Sequence, residues 1–208
     1  MKVLHIDASA RMEGSHSRAL SQTFINVLKE TNKEVDVERI DLALDPPKHF
    51  GELEAAAVSI PESEHTIEMR HAIAASDKIV ERVLAADALV IGTPMYNFGM
   101  PSTLKAFFDH LSRNGKTFIA DENGTRGLLS DKRVVVLLSA GGAYGAGDMF
   151  ENMDCLRPHI TAILQFMGVS DITFITASPT SFAGPEVADR ALKDARSEAI
   201  ELAKIHLC

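Results

Sequence analysis

The sequence predicts a doubly wound α/β domain of five parallel strands, with helices on both faces. Strand-length apolar or alternating runs take turns with helix-period runs along the chain. Two of them, Ala88-Leu89-Val90-Ile91 and Val134-Val135-Val136-Leu137-Leu138, are apolar at successive positions, as central parallel strands covered on both sides must be. No internal repeat or low-complexity linker interrupts residues 1–208, so a single domain is expected.

The first strand is residues 2–7, where Val3-Leu4-His5-Ile6 runs into Asp7. Ala19, Leu20, Thr23, Phe24, Val27 and Leu28 then recur at helical spacing. Val35-Asp36-Val37-Glu38-Arg39-Ile40 alternates, the pattern of a strand near a sheet edge. Residues 43–65, rich in Pro, Glu and Ala, are expected to be irregular and to lead into a long helix from about Thr66 with Ile73, Val80, Val83 and Leu84 inward. After the third strand at 88–92 comes a helix over 101–112, with Pro101 in its first turn and Leu104, Phe107, Phe108 and Leu111 on one face. Asn114-Gly115 and Asn123-Gly124 flank Thr117-Phe118-Ile119 and predict a small hairpin or flap within 113–131. Strand 134–138 follows, then a helix carrying Leu156, Ile160, Ile163, Leu164 and Met167 that Gly168 is suited to end. Ile172-Thr173-Phe174-Ile175 is the last strand, and a helix from about Pro185 closes the chain.

Composition narrows the function. With 46% apolar and 24% charged residues, the 208-residue chain can bury one sizeable core. A net charge of −8 argues against a nucleic-acid footprint, which needs a clustered basic surface. Cys155 and Cys208 make neither a CxxC nor a zinc spacing, and two thiols in a chain of this length fit a reducing compartment. No signal-peptide h-region precedes the first strand, and no apolar run approaches the ~18 residues of a membrane span, so a cytoplasmic protein without membrane contact is expected. Asn123-Gly124-Thr125 matches a glycosylation sequon but reads as a turn.

In a parallel sheet the loops after the strands emerge on one edge, where open α/β sheets bind ligands. The first loop, 8–17, is hydroxyl-rich and opens into a helix; Ser9, Ser15 and Ser17 with the helix-start N–H groups suit a phosphate, although a serine there also serves as a plain N-cap. The second, Thr93-Pro94-Met95-Tyr96-Asn97-Phe98-Gly99-Met100-Pro101, offers backbone amides and two aromatic rings to a flat ligand. The third, Ser139-Ala140-Gly141-Gly142 onward, lets a backbone approach a ligand closely. Neither GxxxxGK[ST] nor GxGxxG is present, so a mononucleotide fits better than a dinucleotide. In the flavodoxin-like strand order 2-1-3-4-5, a three-layer αβα arrangement, the ligand at the switch point between the first and third strands is FMN.

These residues resemble the FMN-dependent NADH-azoreductases, also described as NADH:quinone oxidoreductases, of the flavodoxin-like superfamily. The resemblance rests on Pro94-Met95-Tyr96-Asn97-Phe98, on Ser15-x-Ser17, on Ser139-x-Gly141-Gly142, on Thr117-Phe118 with Glu122-Asn123-Gly124, and on Gly184-Pro185-Glu186. It implies FMN phosphate on Ser9, Ser15, His16 and Ser17, and the flavin ring against Met95, Tyr96, Asn97 and Phe98. It also implies that the far side of the ring meets Ser139, Ala140, Gly141 and Gly142. His16 and Ala140 depart from the family's common residues, and contact through backbone amides is expected at both. The resemblance further implies a homodimer whose second subunit walls the site. NADH would reduce the flavin and a quinone or azo compound would then accept two electrons, a ping-pong cycle with no side-chain acid or base. The Asn97 N–H is expected near flavin N5, and Tyr96 and Tyr144 are expected to pack.

Other candidates are weaker. His65, Glu68 and His71 spread around a helix and are expected on a solvated face, not at a metal. His110 and His159 are left unplaced by the sequence, and Cys155 reads as a packed or surface thiol. The alternative function is a single-electron carrier like flavodoxin; residues 43–65 and 113–131 instead suit a walled substrate pocket. No nucleophile elbow or carboxylate pair supports a hydrolase, and no recognition helix supports a flavin-binding regulator.

Overall fold

The computed structural model describes residues 1–122 and 124–205. Asn123, with the turn and sequon read there, and Cys208 lie outside the described residues. Five strands, β1 (Lys2–Asp7), β2 (Asp36–Asp41), β3 (Ala88–Pro94), β6 (Arg133–Ser139) and β7 (Asp171–Ala177), form one parallel sheet in the order β2-β1-β3-β6-β7. Strands β4 (Phe118–Asp121) and β5 (Gly124–Gly127) pair antiparallel in the expected hairpin. With that hairpin set aside, the sheet has the 2-1-3-4-5 order, and β2 stands at its edge.

The central strands are apolar on both faces because each face feeds a separate core. Val3, Val90, Val135 and Leu137 pack with Leu20, Phe24 and Leu28 of α1 (His16–Thr31) and with Ala195, Ala199 and Ala203 of α6 (Pro185–Ile205). The small alanines at four-residue spacing bring α6 close to α1. Leu4, Ile6, Leu89, Ile91, Val134, Val136 and Leu138 point the other way. They meet α3 (Ile67–Ala85), α4 (Ser102–Leu111) and α5 (Leu156–Phe166) through Val80, Val83, Phe107, Phe108, Ile160 and Leu164.

Local signals set the helix ends. Thr66 caps α3, its hydroxyl accepting from the Met69 N–H at 3.2 Å. Pro158 sits in the first turn of α5, where its missing N–H has no intrahelical partner to lose. Gly168 follows α5 with φ +96°. Thr117 stitches the hairpin to the end of α4, accepting from the Arg113 N–H at 2.9 Å and donating to the Leu111 carbonyl at 2.8 Å.

The stretch expected to be irregular contains a short helix, α2 (Glu52–Val58), and a 3-10 turn, Glu62–Glu64. The Glu54 carboxylate accepts the Gly51 N–H at 3.1 Å and closes the first turn. Seven residues are too few for a helical period to declare itself in the sequence.

Candidate cofactor site

Strand register brings the three loops side by side. Asp7 pairs with Gly92 across β1 and β3, and the Ala8 N–H reaches the Gly92 carbonyl at 2.9 Å. Pro94 pairs with Ser139 across β3 and β6, and the Met95 N–H reaches the Ser139 carbonyl at 2.8 Å. With β3 between them, the first and third loops stand about 10 Å apart by strand spacing.

The first loop is built to present donors. Gly14, at φ +64°, turns the chain into α1, and Ser15 is its N-cap, accepting from the Arg18 N–H at 3.4 Å. Ser17 is buried with its hydroxyl 3.4 Å from that of Ser15, and Ser9 is buried at the end of β1. The N–H groups of His16 and Ser17 have no acceptor among the described residues. Two amides without an acceptor at the positive end of a sixteen-residue helix have the chemistry to hold an anion.

The second loop is a two-residue hairpin. Tyr96 and Gly99 exchange backbone hydrogen bonds at 2.9 and 3.0 Å, and Asn97 and Phe98 both take positive φ, +48° and +69°. Asparagine tolerates this region, but for phenylalanine it costs about 1–2 kcal/mol. The strain is held by the Cys155 N–H, which donates to the Phe98 carbonyl at 3.0 Å, and by Tyr144, whose ring meets that of Phe98 edge-on at 6.5 Å. The Met95 and Tyr96 amides are committed within the loop region, so Asn97 and Phe98 keep the donors without an acceptor among the described residues. The Tyr96 and Phe98 side chains are exposed beside them.

In the third loop the carbonyls are spoken for. Thr180 donates from its N–H and hydroxyl to Ala140 at 2.9 and 3.0 Å. Ser181 and Phe182 donate to Gly141, each at 3.1 Å, and the Ser178 hydroxyl donates to Gly142 at 2.6 Å. The Gly141 and Gly142 N–H groups have no acceptor among the described residues. A Cβ at Gly142 would lie 3.0 Å from the Phe150 ring and 3.2 Å from Tyr144, so a larger residue there must push these rings back by a few tenths of an ångström. Ala140 differs from the expectation of an amide contact: its N–H donates to Ala177 at 3.0 Å and is committed to the sheet. Tyr144 packs against Phe98 and Phe150, as read from the sequence.

The histidines sort differently from the sequence reading. His65 is buried, not solvated; it precedes α3, and its Nε2 lies 2.7 Å from the Ala57 carbonyl, because α2 folds back over it. His110 is buried at the far end of α4 with Nε2 2.9 Å from the Lys48 carbonyl, and His159 is exposed on α5. Among the described residues no group of three or more His, Cys, Asp or Glu side chains could hold a metal ion.

Sequence reasoning missed a charge network beneath the first loop. Asp7 is buried where β1 ends; it accepts from Ser21 at 3.0 Å and from Arg39 at 2.9 and 2.6 Å, with His5 Nε2 3.4 Å away, an ion-pair distance without hydrogen-bond geometry. A polar residue closing an apolar strand was the available signal. Asp41 accepts both Arg18 terminal nitrogens at 2.6 and 2.7 Å. Hydrogen bonds from Arg18 hold the Asp41 carboxyl below its ordinary pKa against the opposing effect of burial. For Asp7, burial pushes upward, but His5, Arg39 and Ser21 together carry the pKa below its ordinary value.

These depressed carboxyls make stability depend on acid. The unfolded chain takes up protons near pH ~3.9 while the folded carboxylates stay ionised and paired. Their contribution is therefore full above that pH and is lost as pH falls through the lower folded values. Urea unfolding followed from pH 6 down to pH 2 is expected to show stability dropping below about pH 4. Asp41→Asn is expected to be less stable at neutral pH and to show a shallower acid drop; an unchanged slope would contradict the pairing.

The sequence profile of a family described as having a flavodoxin-like fold matches residues 1–203. A relative from Nostoc sp., named FMN-dependent NADH:quinone oxidoreductase, is 44% identical over 203 residues, covering 95% of this chain and 97% of its own. An azoreductase from Bacillus anthracis str. Sterne superposes with a TM-score of 0.91 at 26% identity, covering 98% of this chain and 99% of its own. An FMN-dependent NADH-azoreductase from Bacillus anthracis str. Ames Ancestor, solved in complex with FMN, superposes at 0.84 with 27% identity, covering 97% and 99%. Among the described residues no helix is long and apolar enough to cross a membrane.

Proposed function

This chain belongs to the flavodoxin-like family of FMN-dependent NADH:quinone oxidoreductases and NADH-azoreductases, and on that premise we propose that it binds FMN across the three loops and passes two electrons from NADH to quinones or azo compounds. The single observation that carries the reading is the donor set: paired amides without an acceptor among the described residues at the α1 start, in the Asn97-Phe98 turn and at Gly141-Gly142, all along one sheet edge.

That set fits FMN in kind and order. The anion site at Ser15, His16 and Ser17, with Ser9 beside it, suits the phosphate monoester. Met95, Tyr96, Asn97 and Phe98 would lie along the ring, and Ser139, Gly141 and Gly142 would meet its polar end. Ala140 contributes its small size, since its amide is committed. FMN, when bound, supplies the redox carrier that takes a hydride equivalent from NADH and yields two electrons to the acceptor, so donor and acceptor use one site in turn.

The chain's own part is positioning and electrostatics. The hydrogen bond beside flavin N5 would come from this turn, from Asn97 as the family resemblance implies, since the amides at 95 and 96 are already bonded and those of Asn97 and Phe98 have no acceptor among the described residues. The Gly141 and Gly142 amides would stabilise negative charge at the opposite ring edge without reorganising, since the carbonyls of the same two peptides, those of Ala140 and Gly141, are anchored. No side-chain acid or base is required.

A homodimer is part of this reading. Ile172 and Phe174 on edge strand β7 are only partly buried, and Phe174 lines an open groove with Tyr144, Arg157 and Pro158 that a second copy would cover beside the site. The reading also takes residues 1–208 as one domain and the cytoplasm, which supplies NADH, as its compartment. Anaerobic reduction by NADH, followed by reoxidation with a quinone, tests the reading against the single-electron carrier. A carrier is expected to accumulate a long-lived one-electron stage and to react slowly with NADH.

A further inference from the structure

We infer that Arg18, anchored by Asp41, is a positioning residue that sets the first loop in its phosphate-binding shape by holding the Ser9 carbonyl. The inference rests on the reading of that loop as the phosphate site. Arg18 Nε and Nη2 donate to the Ser9 carbonyl at 3.2 and 2.7 Å. Nη1 and Nη2 donate to the two Asp41 carboxylate oxygens at 2.6 and 2.7 Å. The guanidinium thus bolts together the end of β1, the first turn of α1 and the end of β2. Asp41 is itself fixed, accepting the Ala43 N–H at 3.1 Å.

The consequence for the loop follows from peptide planarity. In a trans peptide the N–H points opposite to the C=O. Holding the Ser9 carbonyl on Arg18 therefore turns the Ala10 N–H away from Arg18, and that N–H has no acceptor among the described residues. The same clamp keeps the negative end of this peptide on a cation, away from an incoming anion. The loop then carries three amides with no acceptor among the described residues, at Ala10, His16 and Ser17. Arg18 is not itself an anion ligand: it is 8% exposed, and its fork is divided between Ser9 and a neutralising carboxylate. A lysine, with a single point charge, cannot bridge both partners in this planar geometry.

The test compares FMN with riboflavin, which lacks the phosphate, by titrating each into the full chain stripped of flavin and following fluorescence. The wild-type chain is expected to prefer FMN. Arg18→Met is expected to shrink that preference by about tenfold, the factor that one hydrogen bond to a charged group supplies, and to leave riboflavin affinity nearly unchanged. Arg18→Lys is expected to recover little. Asp41→Asn, which keeps the arginine and loosens its anchor, is expected to shift the preference in the same direction and covers the case in which Arg18→Met does not fold. If the variants lower thermal stability but keep the FMN preference, or weaken both flavins equally, Arg18 is only structural and the inference is overturned. If the wild-type chain shows no preference, the phosphate reading of the loop fails, and the inference with it.

Discussion

Gly127→Ala is expected to lower the melting temperature by roughly 6–12 °C, the shift that about 3 kcal/mol produces in a domain of this size. A Cβ at Gly127 would lie 2.0 Å from the Gly168 nitrogen, 2.1 Å from the Met167 carbonyl carbon and 2.4 Å from the Gly168 Cα. All three are main-chain atoms, so no side chain can rotate aside. The contact is also where the hairpin meets the body of the fold: the Leu129 N–H donates to the Met167 carbonyl at 2.8 Å, and Phe118 packs on Phe166 at 4.7 Å. Pushing β5 off Gly168 would strain both. Gly14→Ala is the useful comparison. Nothing lies within 4 Å of its Cβ position, so only the positive φ is penalised, at about 1–2 kcal/mol. Calorimetry showing equal, small shifts for the two variants would mean that the hairpin does not seat as closely as these distances require.

Asn97→Pro is expected to weaken FMN binding by about 100-fold or more, whereas Asn97→Gly leaves it within a few-fold. Proline is confined to φ near −65° and cannot take the +48° of this position, so the Tyr96–Gly99 hairpin must open. It also deletes the amide assigned to flavin N5. Glycine keeps both the left-handed backbone and the N–H and removes only the side chain. The pair separates a backbone role from a side-chain role in flavin titration, with thermal stability measured alongside. Strong loss in Asn97→Gly would shift the role to the carboxamide and overturn the assignment.

The strands and most helices were legible in the sequence because their signals are local. Apolar runs at 88–91 and 134–138, the helix start at about Thr66 and Gly168 as a stop each depend on neighbours within a turn. The three loops along the carboxyl edge of the sheet were legible for the same reason, as they follow those strands directly. What escaped depends on contacts between distant residues. Ser9, Arg18 and Asp41 lie on three elements and show no spacing that links them. The availability of individual amides is likewise invisible until the acceptors are known: the Ala140 N–H is taken by Ala177, and those of Gly141 and Gly142 are not. His65 departs from the helical wheel because it lies before the Thr66 cap of α3 and α2 covers it. Asn97-Phe98 lacks the glycine that usually marks a two-residue hairpin, so its left-handed turn was hidden behind an aromatic motif.

The most direct measurement is anaerobic stopped-flow of the FMN-loaded chain against NADH, watching the flavin absorbance, with a quinone added in a second mix. The account predicts rapid loss of the band with one NADH consumed per flavin, no lasting one-electron stage, and full recovery on quinone addition. A chain that retains no FMN, or whose bound flavin stays oxidised in excess NADH while a chemical reductant bleaches it, would contradict the assignment as an NADH-dependent reductase.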